Sequence, residues 1–438
     1  MSATAVRTIA FASPHCLIDF TSGAAIATLQ ALRFLHNLDF RCRAFCGSEL
    51  DAPEEALFEE LLANQKSPYE TRNMQIGGYR ARMTFTLQGQ GKGDRSNLCE
   101  APCGPFRQIG PVPFSPVPVT VFQSASTRGW WSNEAEVQAF LRTFWTFLDK
   151  SRPDVLITYG GSPVAQAMLE FAKSRRVTIV FWLHNFSYQD PTVFIPVDYV
   201  IVPSEFSRQY HGKKFGLACH VLPNLIDPQR VKVADATPRF VTFVNPDANK
   251  GVYVFVRIAE QLARRRPDIP ILVVEGRSHS RSIQQTGLDL SWARNLGKTP
   301  NTPDPRKFYA VSKLVLMPSL WNESFGLVAA EAMLNGIPVL ASNRGALPET
   351  VGEGGFLLEI PARYTPATRD VPTAEEVEPW LETIIRLWED PNLYQHWSQA
   401  AQRRAQRWLP DQLAPIYRQF FSTIFPQPGP PLVPTKTH

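Results

Sequence analysis

The chain has 438 residues, of which 44% are hydrophobic and 19% are charged, and its formal net charge is +5 at pH 7. This length suffices for two α/β domains of about 200 residues each. The sequence lacks an apolar run of about 18 residues and a secretory leader, so we expect neither a transmembrane helix nor export. The positive charge is spread out, without the mixture of basic and aromatic residues that is typical of nucleic-acid binding.

The six cysteines include two Cys-x3-Cys pairs, Cys42/Cys46 and Cys99/Cys103. The first pair lies in a strand-like run, where its side chains would be roughly 13 Å apart, too far for one metal ion. We therefore predict six reduced thiols in a cytoplasmic protein.

The N-terminal part begins with a strand-like run, Thr8–Ala12, then a turn with Ser22 and Gly23, then an amphipathic helix. This order is the opening of a doubly wound sheet. Residues 64–150 are less regular. The run Gly89–Gly93 lacks the spacing of a triphosphate-binding loop, and Pro102–Pro118 is expected to be irregular surface chain.

Regular alternation resumes at residue 154 and continues in both halves of the chain. The predicted strands are Asp154–Tyr159, Val177–Leu183, Tyr199–Pro203, Phe240–Val244, Ile271–Glu275, Leu314–Met317 and Pro338–Ala341. Continuous apolar strands separated by helices indicate parallel sheets covered on both faces.

These elements predict an α/β protein of two Rossmann-like, doubly wound parallel-sheet domains that face a cleft. The proline-rich and charged stretch Pro223–Pro238 marks the boundary between them. We predict domains over 1–223 and 224–410, a C-terminal helix over 411–425, and a disordered tail over 426–438.

The segment Pro318–Glu349 carries the clearest functional signal. A strand ends near Pro318, Ser324 is a candidate N-cap, and Phe325, Gly326 and Leu327 would form the first helical turn. Exposed amides at such a turn make an anion site that is suited to a diphosphate. Glu331 would lie about two turns into the helix, roughly 12 Å further along its axis.

Glu323 and Glu331 form a Glu-x7-Glu pattern with Pro-Ser before it, Phe-Gly within it and Glu-Ala-Met after it. Together with Gly336–Val339 and Leu347–Glu349, this segment resembles the donor site of retaining glycosyltransferases of the GT-B fold, of the family 4 type. The resemblance implies that Glu323 contacts the donor sugar, that Glu331 holds the ribose, and that amides near Phe325–Leu327 bind the diphosphate or the sugar. It also implies that residues 1–223 form the acceptor side, that residues 224–410 form the donor side, and that the helix over 411–425 returns to the first domain.

A second segment, around Lys250 and Gly251, is similar to the family's phosphate-binding turn. The family usually has an Arg at the preceding strand end, where this chain has Asn245. Arg277 is our candidate replacement for that cation. Leu296 and Gly297 resemble the strand end whose backbone reads the base.

In the first half, Gly23 falls where the family's glycine-rich loop approaches donor and acceptor. His184 follows a predicted strand where the family often has His-Asp facing the cleft, but here Asn185 replaces the Asp. The resemblance implies a catalytic role for His184, Glu323 and Lys250.

The implied activity is transfer of a sugar from a UDP- or GDP-sugar to a hydroxyl of an unidentified acceptor, a glycan or a lipid. The implied mechanism is same-face attack, which retains the configuration of the anomeric carbon. The chain contains no Asp-x-Asp triplet, so we expect no essential metal and no other cofactor. Membrane contact would be peripheral at most. The alternative is a non-catalytic relative that binds a nucleotide sugar or a partner protein. A dinucleotide-dependent oxidoreductase is disfavoured because Gly-x-Gly-x-x-Gly is missing from the sequence.

Overall fold

A computed structural model describes residues 7–51, 55, 69–76, 79–86, 117–129, 133–278 and 281–425. The expectations for Gly89–Gly93, for Cys99 and Cys103, for most of Pro102–Pro118 and for the tail 426–438 lie outside these residues. No helix in the described ranges combines the length and the apolar character needed to cross a membrane.

Nine of the described strands form the first sheet. They are β1 (Thr8–His15), β2 (Arg41–Glu49), β3 (Tyr69–Ile76), β4 (Tyr79–Thr86), β5 (Val119–Phe122), β6 (Val155–Thr158), β7 (Thr178–Trp182), β8 (Tyr199–Val202) and β9 (Cys219–Val221). Their order is β3-β4-β5-β2-β1-β6-β7-β8-β9. The strands from β5 to β9 in this order run parallel, and β3 and β4 add an antiparallel hairpin at one edge.

Six described strands form the second sheet. They are β10 (Phe240–Val244), β11 (Ile271–Val274), β12 (Leu296–Thr299), β13 (Ser312–Met317), β14 (Val339–Ser342) and β15 (Phe356–Leu358). Their order is β12-β11-β10-β13-β14-β15, and all neighbouring pairs are parallel.

Helices cover both faces of each sheet. In the described part of the chain they are α1 (Gly23–Asn37), α2 (Glu134–Ser151), α3 (Pro163–Ser174), α4 (Glu205–Phe215), α5 (Pro228–Val231), α6 (Val252–Arg265), α7 (Arg281–Gln284), α8 (Arg306–Tyr309), α9 (Leu327–Leu334), α10 (Leu347–Val351), α11 (Ala374–Glu389), α12 (Pro391–Ala405) and α13 (Pro410–Ile424). Their starts follow the local sequence. Ser22 caps α1 by accepting a hydrogen bond from the Ala25 amide, and Thr373 and Glu376 form a capping box at α11.

Each sheet is buried on both faces, which explains its continuous apolar strands. In β1, Ile9 and Phe11 enter one core cluster, whereas Ala10 and Ala12 enter the cluster on the opposite face. Side chains alternate between the faces of a strand, so this division requires cover on both sides. The predicted fold class, two doubly wound parallel sheets, is confirmed.

Helix α13 follows the second sheet in the chain but packs in the core of the first. Leu413, Tyr417 and Phe421 lie in the same buried cluster as β1, and the Tyr417 hydroxyl donates a hydrogen bond of 2.9 Å to the Pro223 carbonyl. The limits that we assign to the domains stay a prediction.

Candidate active site

Glu323 and Lys250, two of the candidate catalytic residues, form an ion pair. The Lys250 ammonium donates to Glu323 Oε1 at 2.6 Å, and the Ser319 hydroxyl donates to the same oxygen at 2.8 Å. Glu323 lies in the loop between β13 and α9, while Lys250 lies in the loop between β10 and α6. Both loops follow the carboxyl ends of adjacent parallel strands, which is where α/β proteins bind their ligands.

The carboxylate of Glu323 is buried and stays ionised. Burial alone would raise the pKa of the Glu323 carboxyl, but the charge of Lys250 and the hydrogen bonds that the carboxylate accepts lower it below its ordinary value. Neither bond described above uses Oε2. Because a carboxylate oxygen accepts more than one hydrogen bond, Glu323 keeps acceptor capacity for a substrate hydroxyl.

Gly251 allows Lys250 to reach this position. Its φ is +82°, in the left-handed region, and a Cβ atom there would lie 1.8 Å from the Pro318 carbonyl oxygen. The two loops can therefore touch only at a glycine. The Lys250 ammonium lies 4.7 Å from the centre of the Trp321 ring, which adds a cation–π contact.

The start of α9 differs from our prediction. Gly326, not Ser324, is the N-cap, with a φ of +90°, and the helix begins at Leu327. A Cβ at Gly326 would lie 2.8 Å from Leu347 Cδ2, so the chain turns here on a glycine instead of on a side-chain cap. The Phe325 side chain is buried against the Trp408 ring, so only its backbone can face a ligand.

Glu331 is consequently nearer to the helix start than predicted. It is the fifth residue of α9, about 6 Å along the axis from Leu327 instead of roughly 12 Å. Its carboxylate is buried. Arg230 donates to Oε1 at 2.9 Å, and the Tyr309 hydroxyl donates to Oε2 at 3.0 Å. Sequence reasoning missed both partners, because Arg230 lies in the Pro223–Pro238 stretch that was interpreted only as a domain boundary.

The loop that carries Glu323 is hydrogen-bonded to the end of β14 and to the chain that follows this strand. The Ala346 amide donates to the Glu323 carbonyl at 2.7 Å, and the Ser342 hydroxyl donates to the Ser319 carbonyl at 2.8 Å. Gly345 has a φ of +62°, and a Cβ there would lie 2.4 Å from the Glu323 amide nitrogen. Close backbone packing therefore fixes the position of the Glu323 carboxylate.

Asn245, which stands in the place of the family's Arg, and Arg277, our candidate replacement for that cation, each contact another part of the protein. Asn245 has a φ of +59°, and its side-chain oxygen accepts a hydrogen bond of 2.9 Å from the Ser278 amide. Arg277 extends instead to Asp51 after β2, with 3.4 Å between the guanidinium and the carboxylate. Arg277 thus lies between the two sheets, and its role toward a phosphate stays a prediction.

Leu296 and Gly297 were expected at a strand end, and this was wrong. They begin β12, which ends at Thr299. Because the carboxyl ends of the parallel strands form the cleft, Thr299 and the following Pro300 are nearer to it than Leu296. Leu296 is the single large apolar residue of this strand, so the sequence does not show where the edge strand begins and ends.

On the first sheet, His184 follows β7 and lies in a cluster of rings. A hydrogen bond of 2.9 Å links its Nε2 to the Thr28 hydroxyl in α1, and the ring stacks on Trp182 with 4.9 Å between centroids. The Tyr159 ring packs edge-on at 5.5 Å. Burial lowers the pKa of His184 to about 3, so the ring is neutral at physiological pH.

Gly23 is the exposed first residue of α1, and a Cβ there would lie 3.9 Å from Leu327 Cδ1. That distance is an ordinary contact, so the protein itself does not require a glycine. The contact joins the starts of α1 and α9 and shows that the two sheets meet at this cleft.

Within the described ranges, no group of three or more His, Cys, Asp or Glu side chains is placed to hold a metal ion. The expected independence of metal stays a prediction.

Two parallel sheets that face a cleft, with a Lys–Glu pair and a helix start on one side, define the GT-B class of glycosyltransferase. Two family models match the chain. Glycosyl transferases group 1 matches residues 227–404, and Glycosyltransferase Family 4 matches residues 111–230. Both models describe glycosyltransferases, and together they cover residues 111–404.

Curated relatives match part of the chain. A D-inositol 3-phosphate glycosyltransferase of Corynebacterium urealyticum is 28% identical over 41% of this chain and 42% of its own length. A lipopolysaccharide 1,2-N-acetylglucosaminetransferase of Salmonella typhimurium is 29% identical over 39% of this chain and 51% of its own length. The chain thus spans about half the length, or less, of these relatives.

Solved structures match nearly the whole chain. Anabaena HepE, in complex with UDP and glucose, has a TM-score of 0.62 at 17% identity, covering 95% of this chain and 100% of that one. Sucrose-phosphate synthase of Thermosynechococcus elongatus has a TM-score of 0.60 at 16% identity, with 95% and 100% covered. At these identities the likeness establishes the fold.

Proposed function

We propose that this protein is a retaining glycosyltransferase that moves a sugar from a nucleoside-diphosphate sugar to an acceptor hydroxyl. The observation that carries the proposal is the ion pair of 2.6 Å between Lys250 and Glu323, beside the start of α9. A half-buried cation, an ionised carboxylate and the first amides of a helix together match the charges and hydroxyls of a sugar diphosphate.

The donor is a UDP-sugar, with a GDP-sugar as the second choice. Support comes from HepE, which shares the fold and was crystallised with UDP and glucose and also with UDP-glucose. Glu331 would accept hydrogen bonds from the ribose hydroxyls, while Arg230 and Tyr309 hold its carboxylate in place.

In the proposed reaction, the bond between the anomeric carbon and the diphosphate oxygen breaks, and the acceptor oxygen bonds to that carbon on the same face. The acceptor proton passes to the leaving phosphate. Lys250, the first amides of α9 and Arg277 would stabilise the charge that develops on the diphosphate. Glu323 would accept a hydrogen bond from a hydroxyl of the donor sugar. Neutral His184 would contact the sugar from the opposite sheet.

The acceptor is a glycan or a lipid-linked hydroxyl. The Salmonella relative, named for lipopolysaccharide, supports a glycan-type acceptor. A non-catalytic nucleotide-sugar-binding protein is the alternative, and it is favoured by one observation: the Asn245 side chain faces Ser278 and leaves the place of the family's Arg without a cation. We place the protein in the cytoplasm, with peripheral membrane contact if the acceptor is a lipid.

The test measures the binding of UDP, GDP, ADP and their sugars to the protein in EDTA, by thermal shift and calorimetry. An assay of nucleotide release from each sugar that binds follows. We expect one uridine or guanosine diphosphate to stabilise the protein without metal, because a ligand that binds only the folded state raises its stability. Slow release of the nucleotide from its sugar would then show turnover. Binding without any release would support the non-catalytic alternative, and absence of binding would overturn both.

A further inference from the structure

Glu349 ends the Leu347–Glu349 motif, and nothing in the proposed chemistry uses its side chain. The carboxylate lies across the domain cleft, at the start of α4. The Glu205 amide donates to Glu349 Oε2 at 2.8 Å, and the Phe206 amide donates to Oε1. One carboxylate thus binds two consecutive amides of a helix that belongs to the other sheet.

These two amides need an outside acceptor. The first four N–H groups of a helix have no partner within it. Ser204 is the N-cap of α4, and its hydroxyl oxygen accepts a hydrogen bond of 3.1 Å from the Ser207 amide. The amides of Glu205 and Phe206 still need an acceptor from outside the helix. A carboxylate is a favourable acceptor here because the start of a helix carries a partial positive charge. The Glu205 carboxylate itself is paired with Arg208.

The residues around Glu349 hold the loop of Glu323. The neighbouring Thr350 donates its hydroxyl to the Phe325 carbonyl, and Ala346 donates its amide to the Glu323 carbonyl. On the other side, the Ser207 hydroxyl of α4 donates to the Ser324 carbonyl at 3.4 Å. The same helix start therefore touches both Glu349 and the loop that carries Glu323.

We infer that Glu349 is a positioning residue: its carboxylate docks the second domain on the start of α4 and so sets the place of Glu323 relative to the first domain. This inference rests on the proposed function, because it assigns no contact between Glu349 and substrate. A change at Glu349 should act on turnover through the relative position of the two sheets, with little effect on the affinity of the donor domain for nucleotide.

The first test compares Glu349→Gln and Glu349→Ala with the matched control Glu359→Gln, an exposed glutamate of the same domain. Charge-assisted hydrogen bonds are about twice as strong as neutral ones, so we expect kcat to fall about tenfold in Glu349→Gln and further in Glu349→Ala. The dissociation constant for the nucleotide alone should stay within about twofold, and Glu359→Gln should match the wild type.

The second test removes the opposite partner. Glu205→Pro deletes the amide that donates to Glu349, and proline is well tolerated at the first position of a helix. Ser204 is extended, with φ −152° and ψ 160°, as a residue before proline should be. Glu205→Ala is the control, because it loses the same carboxylate but keeps the amide. We expect Glu205→Pro to lower kcat in the wild-type background and to add little to Glu349→Ala.

The outcomes are distinguishable. A wild type that neither binds nor turns over a nucleotide sugar overturns the proposed function and this inference with it. An active wild type whose kcat is unchanged in Glu349→Ala overturns the inference alone. So does a double variant in which the two losses multiply, because independent effects would mean that the carboxylate and the amide do not act as a pair.

Discussion

The two sheets contribute to the cleft in different ways. On the second sheet, two buried carboxylates are each paired with a half-buried cation: Glu323 with Lys250, and Glu331 with Arg230. On the first sheet, the equivalent edge carries rings, with His184 neutral between Trp182 and Tyr159. The preorganised ion pairs of the second sheet suit a diphosphate, which is common to many donors. The rings of the first sheet suit sugars of varied shape.

This contrast explains why the second half of the chain was the easier one to interpret. The donor side needs particular residue types at fixed spacing, and these leave a motif in the sequence. On the first sheet, His184 alone gave a comparable signal. If donor binding and its chemistry reside in the second sheet, substitutions there should reduce activity more than substitutions in the first sheet.

Lys250→Met should produce the largest loss. It removes the cation beside Glu323 and leaves a buried carboxylate without its charged partner. We expect donor turnover to fall at least about 100-fold and the affinity for a nucleoside diphosphate to weaken. Turnover and calorimetry would measure both effects. Lys307→Met, an exposed lysine of the same domain, is the control.

The pH profile of the same variant gives an independent reading. In the wild type, the pKa of Glu323 is lower in the folded protein than in the unfolded chain. The ionised carboxylate therefore stabilises the fold above the pKa of the unfolded chain, and this stabilisation is lost as pH falls through the lower pKa of the folded protein. Without Lys250, the pKa of Glu323 should rise, and the acid limb of residual activity should move to higher pH. An unmoved acid limb would contradict the assigned ion pair.

Two glycines sharpen the comparison between the sheets. Gly345→Ala puts a Cβ 2.4 Å from the Glu323 backbone at a φ of +62°, so we expect a stability loss of about 2–4 kcal/mol and loss of activity.

Gly23→Ala puts a Cβ 3.9 Å from Leu327, which is an ordinary contact, and should stabilise α1 slightly. Thermal unfolding of both variants measures this. A large loss of activity in a well-folded Gly23→Ala protein would show that the substrate itself needs the glycine.

Tyr309→Phe should have a moderate effect. It removes the hydrogen bond of 3.0 Å to Glu331 Oε2 in a buried setting, while Arg230 still holds Oε1. We expect an affinity for UDP that is about fivefold to tenfold weaker, and a smaller preference for UDP over 2′-deoxy-UDP. Calorimetry with the two nucleotides checks this. If wild type and variant preferred UDP over 2′-deoxy-UDP to the same extent, Glu331 would not be the residue that binds the ribose.

His184→Gln should change the pH dependence of stability more than its magnitude at neutral pH. Because burial lowers the pKa of His184 from 6.5 to about 3, the unfolded chain binds a proton in that window that the folded protein does not. The wild type therefore loses stability as pH falls from about 6.5 toward 3. The variant should lose less, as measured by the midpoint of thermal unfolding at pH 7 and pH 4.5. Parallel curves would contradict a neutral, buried ring.

The fold could be predicted because continuous apolar strands such as β7 and β13 and capped helices such as α11 are local features. Separate roles for Lys250 and Glu323 could be predicted only through the family resemblance, and their ion pair was not predicted. The helix start at Gly326 was missed because a left-handed residue that caps a helix has no side-chain signal.

Long-range pairs were not predictable. Arg230 is 101 residues from Glu331, and Glu205 is 144 residues from Glu349. No periodicity connects such positions, since the fold alone brings them together. The role of Glu349 in particular depends on backbone amides, which every residue carries and which no sequence pattern distinguishes.

The most direct test of the central claim is the comparison of wild type with Glu323→Gln, using nucleotide affinity and turnover of a UDP- or GDP-sugar in EDTA. The substitution keeps the size of the side chain and removes its charge. We predict that nucleoside diphosphate affinity stays within about threefold, while turnover falls at least about 100-fold. Turnover equal to the wild type would contradict the account, because Glu323 would then have no part in the transfer.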